Sequence, residues 1–303
     1  MRVLLATDGS APAETALELV RSITWPEGST IRVVSVIEPV EAILSAAWTP
    51  ALAADIEQQA EELLASAEVV LEHAARQLAT SGVTVEREVF RGRAGSCIVE
   101  DATRFGADLI IIGSRGHGSI SSMLLGSVSA EVADHAPCPV LVARAPRLTR
   151  LVLGADGSEY ALAAEEWLKR WPIFGRVAIE VVSVAYVGAP WTSGLALSAY
   201  SGSAAEYAAA DRQIIADLQQ AAEAAAERLR SVGLRATARV AEGDAAQELI
   251  RIAADDAADV IVIGTHGRTG LARLIMGSVA RNVMLHAHCS VLIVRKPRTG
   301  AAA

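Results

Sequence analysis

The sequence lacks the features of several large classes of protein. It has three cysteines in 303 residues, too few and too scattered for a disulfide framework or a zinc site. Aromatic residues make up only 4%, and a net charge of −8 comes without the clustered Lys and Arg that nucleic acid or an anionic membrane requires. We therefore predict no nucleic-acid partner and no membrane partner.

Long hydrophobic runs are also missing, although 52% of the residues are hydrophobic. The apolar run in Met1–Thr7 ends at Asp8 and is too short for the core of a signal peptide. No other run approaches the roughly 20 apolar residues that a membrane-spanning helix needs. This composition is typical of a globular protein with small strands and Ala-rich helices, and we expect it in the cytoplasm.

Short apolar runs alternate with amphipathic segments along the chain. In residues 55–80, for example, apolar residues recur at helical spacing with Glu and Gln between them. Such alternation favours parallel strands joined by right-handed crossovers through helices. In the first half we predict strands Val3–Ala6, Thr30–Ile37, Thr84–Phe90, Asp108–Ile112 and Val140–Ala143, and helices Ala11–Ser22, Asp55–Thr80, Ala94–Phe105 and Ser127–His135.

The second half of the chain repeats the first. Asp8-Gly-Ser recurs as Asp156-Gly-Ser, and Gly113 recurs as Gly264 in the same sequence context. A repeat that fills a chain of this length indicates two domains, each able to bury its own core. The predicted fold is α/β, with two tandem doubly wound, Rossmann-like domains, each a five-stranded parallel sheet flanked by helices, over residues 1–146 and 147–297, and a flexible tail over 298–303.

Two long connections follow the second strand of each half. They span residues 38–53 and 187–204 and contain Trp48 and Trp191. Long connections in a compact domain are usually functional or mobile. Packing and partner binding remain open alternatives for the two tryptophans.

A glycine-spaced loop is the most informative motif in the sequence. Gly113 and Gly116 are followed, after nine residues, by Gly126-Ser, and the same spacing recurs from Gly264. Each loop begins where an apolar strand ends, and each Gly-Ser pair begins a helix. Glycine lets a backbone approach a phosphate closely, and a helix start offers unpaired N–H groups and a positive dipole. The motif therefore predicts a phosphate site in each half.

Asp8 and Asp156 follow the first strand of each half, beside the crevice where open α/β sheets bind ligands. We favour a place in the pocket for both carboxylates. The alternative is that Asp-Gly-Ser only makes the turn, with Ser10 and Ser158 capping the next helix, and we expect those serines to be caps.

The two Asp-Gly-Ser turns and the two Gly-x2-Gly-x9-Gly-Ser loops together resemble the universal stress protein family, over nearly the whole chain. The resemblance implies a tandem member of the ATP-binding type, which would bind two ATP per chain. Mg²⁺ near Asp8 and Asp156 is left open, and no metal ligand is assigned with certainty. The resemblance also implies a homodimer and a regulatory protein partner of unknown identity.

The implied nucleotide contacts include backbone groups of Val36 and Val184 at the base, which rest on the resemblance alone. The family usually has a glycine two residues before the aspartate, which Gly154 retains and Ala6 replaces. In the first half the implied contacts are Ala6, Asp8, Val36, Gly113, Ser114, Arg115, Gly116, His117, Gly118, Ser119, Gly126, Ser127 and Val128. In the second half they are Gly154, Asp156, Val184, Gly264, Thr265, His266, Gly267, Arg268, Thr269, Gly270, Gly277, Ser278 and Val279.

Three function classes fit these motifs. The favoured one is an ATP-binding regulator of stress or growth state, which needs no catalytic base. The second is a slow ATPase or a phosphoryl or nucleotidyl transferase that uses the same pocket, and the third is a scaffold without nucleotide. Neither loop has the Gly-Lys-Ser/Thr ending of a Walker loop, so we predict no enzyme and no catalytic residue. A dinucleotide oxidoreductase is excluded because Asp-Gly-Ser stands where its glycine fingerprint belongs.

Overall fold

The computed structural model describes residues 1–38, 50–79, 82–116, 125–185, 204–267 and 276–295. The chain divides into two compact units, Met1–Arg147 and Leu148–Ala303. Among the helices of these described residues, none combines the length and the apolar character needed to cross a membrane.

Each unit alternates strands and helices. The first unit contains β1 (Arg2–Ala6), α1 (Ala11–Ser22), β2 (Thr30–Ile37), α2 (Pro50–Leu78), β3 (Thr84–Arg91), α3 (Ala94–Phe105), β4 (Leu109–Gly113), α4 (Ser127–His135) and β5 (Val140–Ala143). The second contains β6 (Arg150–Gly154), α5 (Glu159–Arg170), a short 3-10 turn (Pro172–Phe174), β7 (Ala178–Ala185), α6 (Ala204–Arg230), β8 (Arg235–Glu242), α7 (Ala245–Asp255), β9 (Val260–Gly264), α8 (Ser278–His286) and β10 (Ser290–Val294).

The strands of each unit are parallel and have the same order. In the first unit the order is β3-β2-β1-β4-β5, and in the second it is β8-β7-β6-β9-β10. The central strands are buried along most of their length, as expected when helices cover both faces of a sheet. This arrangement confirms the predicted doubly wound α/β fold. The chain order reverses between β1 and β4, and between β6 and β9, which places a crevice at the carboxyl ends of those strands.

The helices that follow β1 and β6 begin at the predicted serines. Ser10 Oγ accepts a hydrogen bond from the Ala13 N–H at 3.4 Å, and Ser158 Oγ accepts one from the Ala161 N–H at 3.2 Å. A serine at this position satisfies an N–H group that the helix itself leaves unpaired. The expectation that both serines are caps is confirmed.

Helix α2 begins earlier than its sequence pattern predicts. It starts at Pro50 and ends at Leu78, whereas apolar periodicity alone places it over Asp55–Thr80. Proline is well tolerated in the first turn of a helix because its missing N–H would be unpaired there anyway. The predicted loop 38–53 is therefore wrong for its last four residues. Trp48 and Trp191 lie outside the described residues.

The first glycine of each loop lets a helix pack closely on a strand. A Cβ atom on Gly113 would lie 2.7 Å from the backbone oxygen of Pro12 in α1. In the second unit a Cβ atom on Gly264 would lie 2.7 Å from the backbone oxygen of Tyr160 in α5. Real Cβ atoms do not approach a backbone so closely, so any side chain here would displace the helix. These glycines thus have a packing role, in addition to the approach to phosphate that the sequence suggests.

This close packing predicts that Gly264→Ala destabilises the protein. The added methyl group overlaps the backbone of α5, so we expect a loss of about 2 kcal/mol in the free energy of unfolding, measured by urea denaturation. Gly175→Ala is the matched control, because its Cβ would lie 3.4 Å from the Pro172 oxygen, an ordinary contact. The packing role is contradicted if the two variants are equally stable.

Candidate functional site

Each unit has a cavity at the carboxyl ends of its central strands. Its volume is about 360 Å³ in the first unit and about 370 Å³ in the second, within the range of pockets that hold small molecules. Of the predicted contacts, Ala6, Asp8, Val36, Gly113, Arg115, Gly116, Gly126, Ser127 and Val128 line the first cavity. Gly154, Asp156, Val184, Gly264, Thr265, His266, Gly267, Gly277, Ser278 and Val279 line the second.

Some predicted contacts do not lie on the cavity wall or fall outside the described residues. Ser114 is buried and takes part through its backbone rather than as a lining side chain. His117, Gly118, Ser119, Arg268, Thr269 and Gly270 belong to the ranges that the structure leaves undescribed. Their predicted contacts remain predictions.

A backbone hydrogen bond closes each glycine-spaced loop. The Gly126 N–H donates to the Ser114 carbonyl at 2.7 Å, and the corresponding Gly277 N–H donates to the Thr265 carbonyl at 2.7 Å. A Cβ on Gly126 would lie 3.2 Å from the Cα atom of Arg115, so a side chain would crowd the bond. The Gly-Ser pair is therefore held against the loop that follows the strand.

The helices that follow these loops begin without a side-chain cap. The residues before α4 and α8 are Gly126 and Gly277, and no described side chain accepts a hydrogen bond from the first turn of either helix. By contrast, α1 and α5 have their serine caps. The start of an uncapped helix presents free N–H groups and a partial positive charge, which together attract an anion. Ser127 and Ser278, the first residues of these helices, line the two cavities.

Asp8 and Asp156 both make the turn and line the cavity. Asp8 Oδ1 accepts a hydrogen bond from the Ser10 N–H at 3.0 Å, and Asp156 Oδ1 accepts one from the Ser158 N–H at 2.9 Å. In the first unit, a Cβ on Gly116 would lie only 2.5 Å from the other carboxylate oxygen, Asp8 Oδ2. Each aspartate therefore combines the two alternatives drawn from the sequence, a place in the cavity wall and a part in the turn.

Gly116, the second glycine of the loop, thus makes room for the Asp8 carboxylate, whereas Gly113 makes room for helix α1. The same holds in the second unit, where a Cβ on Gly267 would lie 2.8 Å from Asp156 Oδ2. The aspartate turn and the glycine-spaced loop come from opposite ends of each repeat in sequence, and they meet here. Together they form one wall of the cavity.

The backbone N–H and C=O of Val36 face the space beyond the end of strand β1. Residues of β1 pair with β2 only as far as Ala6 opposite Val34, and β2 then continues to Ile37. The Val34 carbonyl accepts from the Thr7 N–H at 2.9 Å, whereas the Ile37 carbonyl accepts from Gly92 on the β3 side at 3.0 Å. Because strand residues alternate in the side to which their N–H and C=O groups point, those of Val36 point past the end of β1.

The second unit has the same overhang. Its β6 strand pairs with β7 as far as Gly154 opposite Val182, and β7 continues to Ala185. The Val182 carbonyl accepts from the Ala155 N–H at 2.9 Å, so the N–H and C=O of Val184 also face the cavity. Each cavity therefore combines an uncapped helix start with an outward-facing donor and acceptor on a strand.

The two cavities differ in the side chain between the glycines. The first has Arg115, a permanent cation, and the second has His266. The imidazole of His266 lies 4.9 Å from the Tyr160 ring, measured between ring centroids. Its Nε2 atom is buried and has no hydrogen-bond partner among the described residues. A buried polar nitrogen of this kind is satisfied by an external group such as a ligand oxygen or a water.

Sequence reasoning missed the wall that α3 and α7 supply. Ala94 and Ile98 line the first cavity, and Ala245 and Leu249 line the second. Glu38, the residue after β2, lines the first cavity as well. A signal for this wall was present, since a glycine with positive φ precedes each helix at matching places in the two halves, namely Gly92 at 144° and Gly243 at 139°.

A dedicated metal centre is not evident in the part of the chain that the structure describes. No group of three or more His, Cys, Asp or Glu side chains there could hold a metal ion. A Mg²⁺ ion at Asp8 or Asp156 would thus depend on oxygens from a bound phosphate, as is usual for this cation.

Both units match the same family of known proteins. The model of the universal stress protein family matches residues 1–144 and 148–295. A universal stress protein of Thermus aquaticus is 35% identical over 143 residues, which cover 47% of this chain and 97% of that protein. One from Mycolicibacterium smegmatis is 26% identical over 311 aligned positions, covering 97% of this chain and 96% of that protein.

A solved structure has the same fold over the whole chain. The crystal structure of a universal stress protein from Archaeoglobus fulgidus superposes with a TM-score of 0.66 at 20% identity, covering 97% of this chain and 98% of that one. The family model fits each half separately, and each half has its own aspartate turn and glycine-spaced loop. The resemblance drawn from these motifs is confirmed, and the chain belongs to the universal stress protein family, with two family domains in tandem.

Proposed function

We propose that each unit binds one ATP in its cavity and that the chain is a nucleotide-responsive regulator of stress or growth state. One observation carries the proposal. An uncapped helix start, a glycine cradle and an outward-facing strand backbone line the same cavity, and this happens twice in the chain.

The phosphates of the nucleotide would lie at the glycine-spaced loop and the helix start. Ser127 and Val128 are the first two residues of α4, and Ser278 and Val279 are the first two residues of α8. Backbone N–H groups at a helix start bind phosphate without any lysine. Arg115 and His266 line the cavities beside these loops and would add donors to phosphate oxygens.

The base would lie at the other end of the cavity, against β2 or β7. The N–H and C=O of Val36 provide one donor and one acceptor side by side, as do those of Val184. A purine edge presents one acceptor next to one donor, so it complements such a pair. The aliphatic side chains of Ile98 and Leu249 add an apolar surface for the base.

The residues present fit this ligand. Gly116 and Gly267 leave space beside a carboxylate where any side chain would intrude, and the buried Nε2 of His266 would gain a partner from a phosphate oxygen. Asp8 and Asp156 would be the residues that hold a Mg²⁺ ion, which would supply charge neutralisation. Homodimerisation and a regulatory protein partner remain predictions from the family.

Catalysis is not part of the proposal. Phosphoryl transfer requires a positioned nucleophile and a group that orients it, in addition to charge stabilisation. Neither loop carries a Walker lysine, and Asp8 and Asp156 are each engaged in a turn. Slow hydrolysis and a scaffold without nucleotide are the alternatives that the following measurements separate.

The first prediction concerns stoichiometry. Calorimetric titration with ATP should give close to two nucleotides per chain. Gly116→Val and Gly267→Val should each lower this number to one, because the new side chain collides with Asp8 or Asp156 and closes the cradle. Gly175→Ala is the control and should retain two sites, because Gly175 lines neither cavity.

Two results would contradict the site assignment. Absence of binding at millimolar ATP would favour the scaffold, since specific sites usually bind in the micromolar range or tighter. Unchanged stoichiometry in both valine variants, with circular dichroism showing folded protein, would mean that ATP binds elsewhere.

The second prediction concerns turnover. With saturating ATP and Mg²⁺, phosphate release should stay far below the roughly ten events per second of a typical enzyme. The reason is that neither glycine-spaced loop carries a Walker lysine, and Asp8 and Asp156 each accept a hydrogen bond within a turn. A rate near the enzymatic median that Gly116→Val or Gly267→Val abolishes would establish an ATPase instead.

A further inference from the structure

We infer that Glu38 makes the first site selective for a 6-aminopurine such as adenine over a 6-oxopurine. The inference rests on the proposed function and deepens it for one of the two sites. It assigns a role to a carboxylate that neither the glycine motif nor the aspartate turn includes.

Glu38 lies at the base end of the cavity. Val34, Val36 and Glu38 are alternate residues along β2 and its extension, and all three line the first cavity. Alternate residues of an extended chain direct their side chains to the same face. Glu38 follows Val36 along the extended chain, and we place the base at Val36 and the phosphates at Gly116 and Ser127.

The structure holds this carboxylate in place. The Ala94 N–H at the start of α3 donates a hydrogen bond to Glu38 Oε1 at 2.9 Å. No other hydrogen-bond partner of this carboxylate is found among the described residues. One oxygen is thus anchored, and the other is free to accept a hydrogen bond from a ligand.

The strand backbone alone does not distinguish adenine from a 6-oxopurine. Adenine offers an amine donor beside a ring acceptor, and a 6-oxopurine such as hypoxanthine offers an oxygen acceptor beside a ring donor. The paired N–H and C=O of Val36 can complement either edge. A carboxylate can accept the second hydrogen of the adenine amine, but it repels the oxygen that replaces the amine in guanine or hypoxanthine.

Asp156 is the only carboxylate among the described residues that line the second cavity. The first residue after β7 is Tyr186, at the position that Glu38 has after β2. Helix α7 has its own cap, because Asp244 Oδ1 accepts a hydrogen bond from the Gln247 N–H at 3.0 Å. Because the sequence has no carboxylate at this position in the second unit, base selectivity should differ between the two sites.

The test compares ATP with inosine triphosphate, in which only the amine is replaced by oxygen. Dissociation constants are measured by calorimetry in the full-length Gly267→Val chain, where the first site remains. We expect ATP to bind about tenfold more tightly than inosine triphosphate, the size expected for a hydrogen bond to a charged group. Glu38→Gln should bring the ratio to one or below, because the glutamine oxygen stays with Ala94 and its NH2 group then faces the base, where it donates to the oxygen of inosine triphosphate but not to the adenine amine.

Glu131→Gln is the matched control. Glu131 is a carboxylate of α4 that contacts the start of α3, where it accepts from Ser96 Oγ at 3.2 Å and from Arg93 at 3.2 Å, but it does not line the cavity. Its removal should leave the ratio near tenfold. Glutamine at position 38 keeps an oxygen that can still accept from Ala94, so the helix cap survives the substitution.

Three outcomes would overturn the inference. An unchanged ratio in Glu38→Gln means that the carboxylate only caps α3. If Glu38→Gln weakens ATP but not 2′-deoxy-ATP, the carboxylate contacts the ribose rather than the amine. If neither site of the unsubstituted chain binds ATP, the proposed function itself fails. Titrations of the unsubstituted chain and of Glu38→Gln, fitted to two sites, provide the same comparison if Gly267→Val proves unstable.

Discussion

Both cavities depend on one feature of the parallel sheet, namely that the first strand of each unit ends before its neighbour. Ala6 is the last residue of β1 to pair with β2, and β2 runs on to Ile37. The backbone of Val36 is therefore exposed to a gap that the aspartate turn and the glycine-spaced loop border. Had β1 continued, its own N–H and C=O groups would occupy the space that we assign to a base.

Duplication has preserved the backbone of the site more closely than its side chains. Both units retain the strand overhang, the loop-closing hydrogen bond of 2.7 Å and an uncapped helix start. On the cavity walls Arg115 corresponds to His266, and in the sequence Glu38 corresponds to Tyr186. A phosphate bound by backbone N–H groups tolerates such changes, since the main contacts need only glycine and a helix start. Two sites of one fold can thereby differ in selectivity.

Much of the fold was predictable because local patterns agree with it. Helices Ala11–Ser22, Ala94–Phe105 and Ser127–His135 begin and end at the predicted residues. A serine cap marks the start of the first, and glycines mark the end of the second and the start of the third. The start of α2 at Pro50 was missed because a proline in the first turn precedes the apolar periodicity. The packing role of Gly113 was missed because it depends on how closely α1 approaches β4, a distance that sequence spacing does not encode.

The sequence by itself determined the fold class, the duplication, the family and the loop that forms one wall of each cavity, because these follow from periodicity and glycine spacing within short segments. Only the tertiary structure decided which distant segments meet. It showed that Gly116 makes room for Asp8, that the N–H and C=O of Val36 point beyond the end of β1, and that Glu38 is anchored at the start of α3. Each of these depends on strand register and helix placement, which bring together residues far apart in sequence.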